Sequence, residues 1–285
     1  MNKRSLIYVN TAVLLFGLAG LFAKWIELPS IWISAGRVCF SSIALAVFML
    51  IRKERFSVSK KDLILLITAG AVLAFHWWSF LESIKRSTVA IGTITFAAFP
   101  LFVTILEPLV LKVRLTLMNI FTALMILVGV FITVPFSSVE GNIMAGALIG
   151  LCSSAAYAVL TLMNKRLSAK NSATKVSFYE QATAAVILLP IALMQETVIR
   201  PMDIGLLLAF GIITTALAHT LFVSGLKDIP AHLAGVFSSL ETVYGIIFAF
   251  LILGEVPSLR EVIGAFIIIA ATMIASYTES RKRTV

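Results

Sequence analysis

Hydrophobic positions along this chain gather into long uninterrupted runs, with short polar gaps between them. The runs fall at about residues 5–23, 30–51, 63–83, 88–111, 116–134, 143–164, 173–195, 203–226, 231–253 and 258–278. Glu27-Leu-Pro-Ser30, Arg52-Lys-Glu-Arg55, Pro135 to Asn142 and Arg200-Pro201 punctuate them. Each run matches the roughly 20 residues that a helix needs to cross about 30 Å of hydrocarbon. Barrel strands would be about 10 residues long with alternating polarity. Helices are therefore the elements that can satisfy this backbone in lipid. The pattern predicts an all-α membrane protein of ten transmembrane helices. Met1-Asn-Lys-Arg4 before the first run is also signal-peptide-like, but no A-x-A-like cleavage site follows cleanly, and the run reads as a retained helix.

Composition agrees. The 285 residues are 60% apolar and 13% charged, with a mean hydropathy of +1.02. Soluble domains carry roughly 25% charged residues, so too little polar surface exists here to coat a water-soluble globule. A soluble enzyme, a disordered chain and a disulfide-stapled secreted domain are excluded. The net charge of +9 sits in the gaps between runs, which argues for membrane anchoring rather than a nucleic-acid partner. With the N-terminus inside, seventeen Lys and Arg fall on the inner side and five on the outer, with Arg37 inside a span. The expected placement is a multi-pass protein of the cell (inner) membrane with both termini cytoplasmic. Cys39 and Cys152 lie in apolar stretches and read as small core residues.

A shift of 142 residues lays Phe80 on Phe222, Lys85 on Lys227, Leu109 on Leu251, Leu111 on Leu253 and Leu117 on Leu259. Five spans per half turn the second copy upside down. Two inverted five-helix repeats, 1–136 and 137–285, are expected, an arrangement that recurs in secondary transporters. The gap after the second run holds five basic residues, and its counterpart after the seventh holds only Arg200.

Leu253-Gly-Glu-Val-Pro-Ser258, followed by Gly264, resembles the L-G-E-x-x-[ST] turn and helix glycine of EamA-type domains in the drug/metabolite transporter superfamily. The corresponding first-half turn, Leu111 to Thr116, lacks both the Gly and the Glu. Phe16-Gly17, Arg37 and Pro100 also match, Thr242 stands where the second repeat usually has a proline, and the stretch His76 to Pro108 is similar to bacterial EamA exporters. The resemblance implies alternating access around a central cavity and export of amino acids or other small metabolites. Small multidrug relatives exchange protons at a first-helix glutamate. Here that helix offers only Asn10 and Thr11 as polar mid-span groups, so that mechanism is not carried over.

An ionisable side chain within a span costs several kcal/mol unless it faces a cavity or a partner, so each is a functional candidate. His76, near mid-membrane with Ser79 on its face, can donate to and accept from a metabolite, and its titration near pH 6.5 permits proton coupling. Glu241 within Ser238-Ser-Leu-Glu241 suits a substrate amine or a proton. Tyr157, on the small polar face begun by Ser153, together with Glu180 and Tyr244, completes the expected substrate-binding set. Arg37 and Glu82 are expected to pair as an outer bridge, Pro100 to open a mid-helix discontinuity, and Glu107 to be held by Lys112 or Arg114. His219 reads as a satisfied histidine. Trp77 and Trp78 could line a cavity. No P-loop, H-E-x-x-H or G-x-S-x-G pattern is present, and no cofactor or metal is expected. The expected function is secondary transport of a small polar or amphipathic, amino acid-like metabolite by a monomer or weak dimer. An intramembrane enzyme acting on lipid headgroups and a passive facilitator or channel are the alternatives.

Overall fold

The computed structural model describes residues 2–87, 92, 95–114, 116–133, 143–254 and 256–282. The whole Pro135 to Asn142 gap, the boundary between the expected repeats and Glu255 of the L-G-E turn lie outside the described residues, as does the start of the run expected at 88.

Asn2 caps α1 (Lys3–Gly17), its side chain accepting from Arg4 N at 3.1 Å, and the chain passes Leu18 into α2 (Ala19–Trp25). Pro29 precedes α3 (Ser30–Ile51). Ser59 caps α4 (Lys60–Arg86), and Ser172 caps α8 (Ala173–Leu193), each hydroxyl taking a free first-turn N–H. Between these lie α5 (Phe99–Leu111), α6 (Leu117–Thr133) and α7 (Ile143–Leu167). The eighth expected span is one rod, α9 (Pro201–Ala209) and α10 (Ala218–Leu226), joined through a π-helical segment, Phe210–Leu217. The ninth is divided at Ser239 into α11 (Ala231–Ser238) and α12 (Leu240–Leu253), and α13 (Leu259–Lys282) follows.

Among the described residues, eight helical stretches are long and apolar enough to cross a membrane; α5 and α6 are shorter. Within the described part of the expected fourth span the chain turns before α5 begins. A turn at Ala98 N→Thr95 O (3.2 Å) precedes α5, and Pro100 stands in its first turn, where its missing N–H leaves no bond unmade. Pro100 thus begins a helix instead of kinking one. Pro108 does lie inside α5, which ends at Lys112 in the left-handed region (φ 56).

Close helix contact fixes the middle of the bundle. A Cβ on Gly70 of α4 would lie 2.5 Å from Thr183 Cβ and 2.7 Å from Glu180 O, so only glycine lets α4 approach α8 there. Phe99, Tyr157, Leu160 and Phe222 bury together at the centre. Outward, Ile7, Ile51, Ile64, Leu109, Leu117 and Phe266 are each more than half exposed, an apolar surface that only lipid would cover. Both cysteines are free; Cys152 belongs to this exposed face of α7 rather than to the core, and Cys39 is half-buried.

Candidate functional site

At the middle of the bundle a pocket of about 50 Å³ is bounded by Arg37, His76, Tyr157, His219 and Glu241, with Phe16, Trp77, Phe80 and Phe96 among its walls. Five separate stretches of chain deliver the polar groups: α3 carries Arg37, α4 His76, α7 Tyr157 and α10 His219, and Glu241 stands in the first turn of α12, just past the break at Ser239. A break at that point lets the start of α12 present an acid to the bundle centre.

Arg37 and His76 are each held on one side and left open on another. The Arg37 guanidinium lies between the rings of Trp77 and Phe210, 4.2 Å from each centroid, and its Nε donates to Thr215 Oγ1 at 3.0 Å. Its terminal nitrogens make no hydrogen bond to the described residues. Cation–π contact on both faces compensates part of the loss of water. His76 Nδ1 is 3.1 Å from Ser153 O and 2.9 Å from Ser153 Oγ, while Ser153 Oγ gives its own hydrogen to His76 O at 2.9 Å. A carbonyl only accepts, so Nδ1 is the donor, and Nε2 keeps its lone pair in the neutral ring. The ring stacks on Tyr157, with centroids 4.5 Å apart. Glu241 is half-buried, and no described residue donates to its carboxylate.

Among the residues expected from sequence to bind substrate, His76, Tyr157 and Glu241 meet at this pocket. Ser79, Glu180 and Tyr244 do not line it. Ser79 Oγ donates to His76 O at 3.1 Å, and Tyr244 OH donates to Asn10 Oδ1 at 2.8 Å. Glu180, fully buried, lies behind His219, with its Oε2 2.7 Å from His219 Nε2 and 3.4 Å from Asn164 Nδ2.

The expected Arg37–Glu82 bridge does not form. Glu82 accepts from Ser30 Oγ (2.5 Å) and Arg86 Nε (2.7 Å) at the first turn of α3. Arg37 lies seven residues further along that helix, about 10 Å deeper at 1.5 Å per residue. Glu107 likewise reaches neither Lys112 nor Arg114. Its carboxylate accepts from Ala231 N (2.7 Å), His232 N (3.0 Å) and His232 Nδ1 (2.5 Å), capping α11. His232 escaped the sequence reading, although its place just after Pro230, where free first-turn N–H groups attract an acid, was a usable signal. Near the same end Lys165 Nζ donates to Leu226 O (2.6 Å), Lys227 O (3.1 Å) and Ile229 O (2.8 Å).

A larger cavity of about 510 Å³ opens where α3 begins and α4 ends, beside Ser30, Trp78, Glu82 and Lys85. Its acid is already bonded to Ser30 and Arg86, whereas the smaller central pocket holds a cation, an acid and an imidazole nitrogen with bonding capacity to spare. Chemistry, rather than volume, marks the centre as the site.

Membrane-length helices here enclose a polar pocket with aromatic walls. The chain belongs to the EamA-like transporter family, whose model matches residues 3–134 and again 144–277. It is a multi-pass membrane transporter and not an enzyme. It is 24% identical to an S-adenosylmethionine uptake transporter of Rickettsia prowazekii, over 90% of this chain and 85% of the relative. It is 24% identical to the pseudopaline exporter CntI of Pseudomonas aeruginosa, over 82% of each, and 25% identical to the uncharacterized transporter YwfM of Bacillus subtilis, over 77% of this chain and 75% of the relative. A solved crystal structure, 18% identical, superposes with a TM-score of 0.85 over 99% of both chains, and so shares the fold.

Proposed function

We propose that this protein is a secondary transporter that exports a small amino acid-like metabolite by alternating access, its two halves forming inverted repeats around the central pocket. The observation that carries the reading is the trio of unspent groups there: the terminal nitrogens of Arg37, the carboxylate of Glu241 and Nε2 of His76. A guanidinium suits a carboxylate and a carboxylate suits an ammonium. The aromatic walls accept an apolar side chain, and Tyr157 adds a hydroxyl. At about 50 Å³ the pocket is far below the roughly 300–1,000 Å³ of ligand sites. The described conformation is contracted, and loading requires the halves to part.

The two family matches support repeats near 1–136 and 137–285. So do the chain breaks at Ala97 and Ser239, 142 residues apart, because paired interruptions in the two halves of a transporter point to its binding site. The basic residues favour an inner-membrane protein with both termini in the cytoplasm. Similarity of the His76 to Pro108 stretch to bacterial exporters favours outward transport, although the relatives include both an importer and an exporter.

The test is counterflow of radiolabelled amino acids in proteoliposomes containing purified protein. Saturable counterflow is expected, with Arg37→Lys, His76→Ala and Glu241→Gln each weakening half-saturation by about tenfold or more, the equivalent of one good hydrogen bond at about 1.4 kcal/mol. Unchanged rate and affinity in all three variants would remove the site assignment. Currents at near-diffusive rates would instead identify a pore.

A further inference from the structure

We propose that the His219–Glu180 pair is the proton-binding site that couples this carrier to a proton gradient, an inference resting on the transport reading above. The pair is sealed: the side chains are 1% and 0% exposed, with His219 Nε2 2.7 Å from Glu180 Oε2. Glu180 Oε1 has no hydrogen-bond partner, and three neighbours in sequence or space, Asn164 Oδ1, Gln181 Oε1 and Ser177 Oγ, are buried and unpartnered too. Three of the four are carbonyl or carboxylate oxygens that accept, and only Ser177 Oγ carries a hydrogen to give, so acceptors outnumber donors among these unpartnered atoms and protonating Glu180 adds a donor. An ionised carboxylate with a bare buried oxygen would instead carry an uncompensated desolvation cost.

Among the described residues no lysine or arginine hydrogen-bonds to Glu180, whose partners are His219 and Asn164. The charged or titratable groups lining the adjoining pocket are Arg37 of α3, His76 of α4, Tyr157 of α7, His219 of α10 and Glu241 of α12, and of these His219 is the one that bonds to it. A route to the pocket exists, because His219 itself lines the pocket. A proton arriving at His219 Nδ1 converts the ring to imidazolium. The Nε2 proton then passes to Glu180 Oε2, leaving a neutral ring and a neutral acid; release reverses both transfers. Coupling has a physical link as well. Thr215, four residues before His219, accepts from Arg37 Nε at 3.0 Å, and its carbonyl accepts from Gln181 Nε2 at 3.3 Å. A substrate carboxylate drawn to Arg37 therefore pulls on the segment that carries the histidine.

The test that needs no substrate is a pH-titrated infrared difference spectrum of the purified protein. The expected result is a carboxylic acid carbonyl band that disappears as pH rises, is lost in Glu180→Gln, shifts in frequency or titration in Glu180→Asp, and persists in Glu241→Gln. Each variant is first checked for wild-type helicity and monodispersity. A band that survives Glu180→Gln, or one lost on adding sodium at constant pH, overturns the proposal, the second result naming a metal cation as the occupant. In proteoliposomes, an imposed pH gradient should accelerate wild-type amino acid efflux and have no effect on Glu180→Gln; equal acceleration in both also overturns it. Failure of the transport reading is distinguishable, because it removes wild-type counterflow and leaves the infrared result in place.

Discussion

Replacing Glu107 by glutamine keeps the shape of the side chain and removes its charge, which isolates what the carboxylate does for the end of the bundle that holds α11. In the native protein one carboxylate accepts three hydrogen bonds, at 2.7, 3.0 and 2.5 Å, from two backbone N–H groups and the His232 ring. Glutamine retains a single acceptor oxygen, and its amide NH₂ then faces a backbone donor. A hydrogen bond to a charged group contributes about 1.5–3 kcal/mol, and loss of a helix N-cap costs about 1 kcal/mol. Glu107→Gln should therefore destabilise the fold by about 3 kcal/mol, given that the costs overlap on one carboxylate. His232→Ala removes the ring bond while leaving the two backbone bonds to Glu107, and should cost about 1 kcal/mol. The two should couple, so that Glu107→Gln costs less once His232 is alanine. Unfolding in mixed micelles titrated with SDS, followed by circular dichroism, measures both free energies and the coupling. If Glu107→Gln falls within about 0.5 kcal/mol of wild type, as an unremarkable surface change does, the carboxylate does not secure α11.

Two further outcomes follow from the packing and the loops. Gly70→Ala places a methyl 2.7 Å from the Glu180 carbonyl and should destabilise by about 1–3 kcal/mol in the same assay, whereas Gly205→Ala, which meets nothing within 4 Å, should not. Asp228, in the short connection before α11, takes a hydrogen bond from Ser5 Oγ at 2.6 Å, which holds its carboxyl below the usual range. Because the folded value is depressed, this tether is fully present above about pH 4 and fades as pH falls further. Amide exchange in the first turn of α1 should be faster at pH 3 than at pH 6, and Ser5→Ala should abolish most of that difference.

The long helices were legible because lipid demands continuous apolar length, and one-dimensional hydropathy reports length. His76, Tyr157 and Glu241 were legible for a related reason: a polar side chain in the middle of such a run must be excused by a cavity. What escaped was set by tertiary contact. Lys112 and Arg114 were attractive partners for Glu107 by proximity in sequence, but Lys112 adopts the left-handed conformation and turns the chain away, while the start of α11 supplies donors from 124 residues further on. Arg37 read as an outer-side residue paired with Glu82, and nothing in the sequence reveals that Trp77 and Phe210 close on its two faces. Pro100 was expected to open a discontinuity inside a helix and stands instead in the first turn of α5, because whether a proline bends a helix or begins one depends on the backbone before it.

The π-helical segment between α9 and α10 has a mechanical implication. Such a stretch holds more residues per turn than an α-helix does, and Thr215 Oγ1 donates to Phe210 O across it at 3.1 Å. Shedding one residue from the wide turn would rotate everything after it by about 100° and advance it by about 1.5 Å. His219 lies immediately downstream, so the same small rewinding would swing its imidazole away from Glu180 while α9 stayed where it is. A single rod can thus act as a crank, with no hinge loop needed at the centre of the membrane.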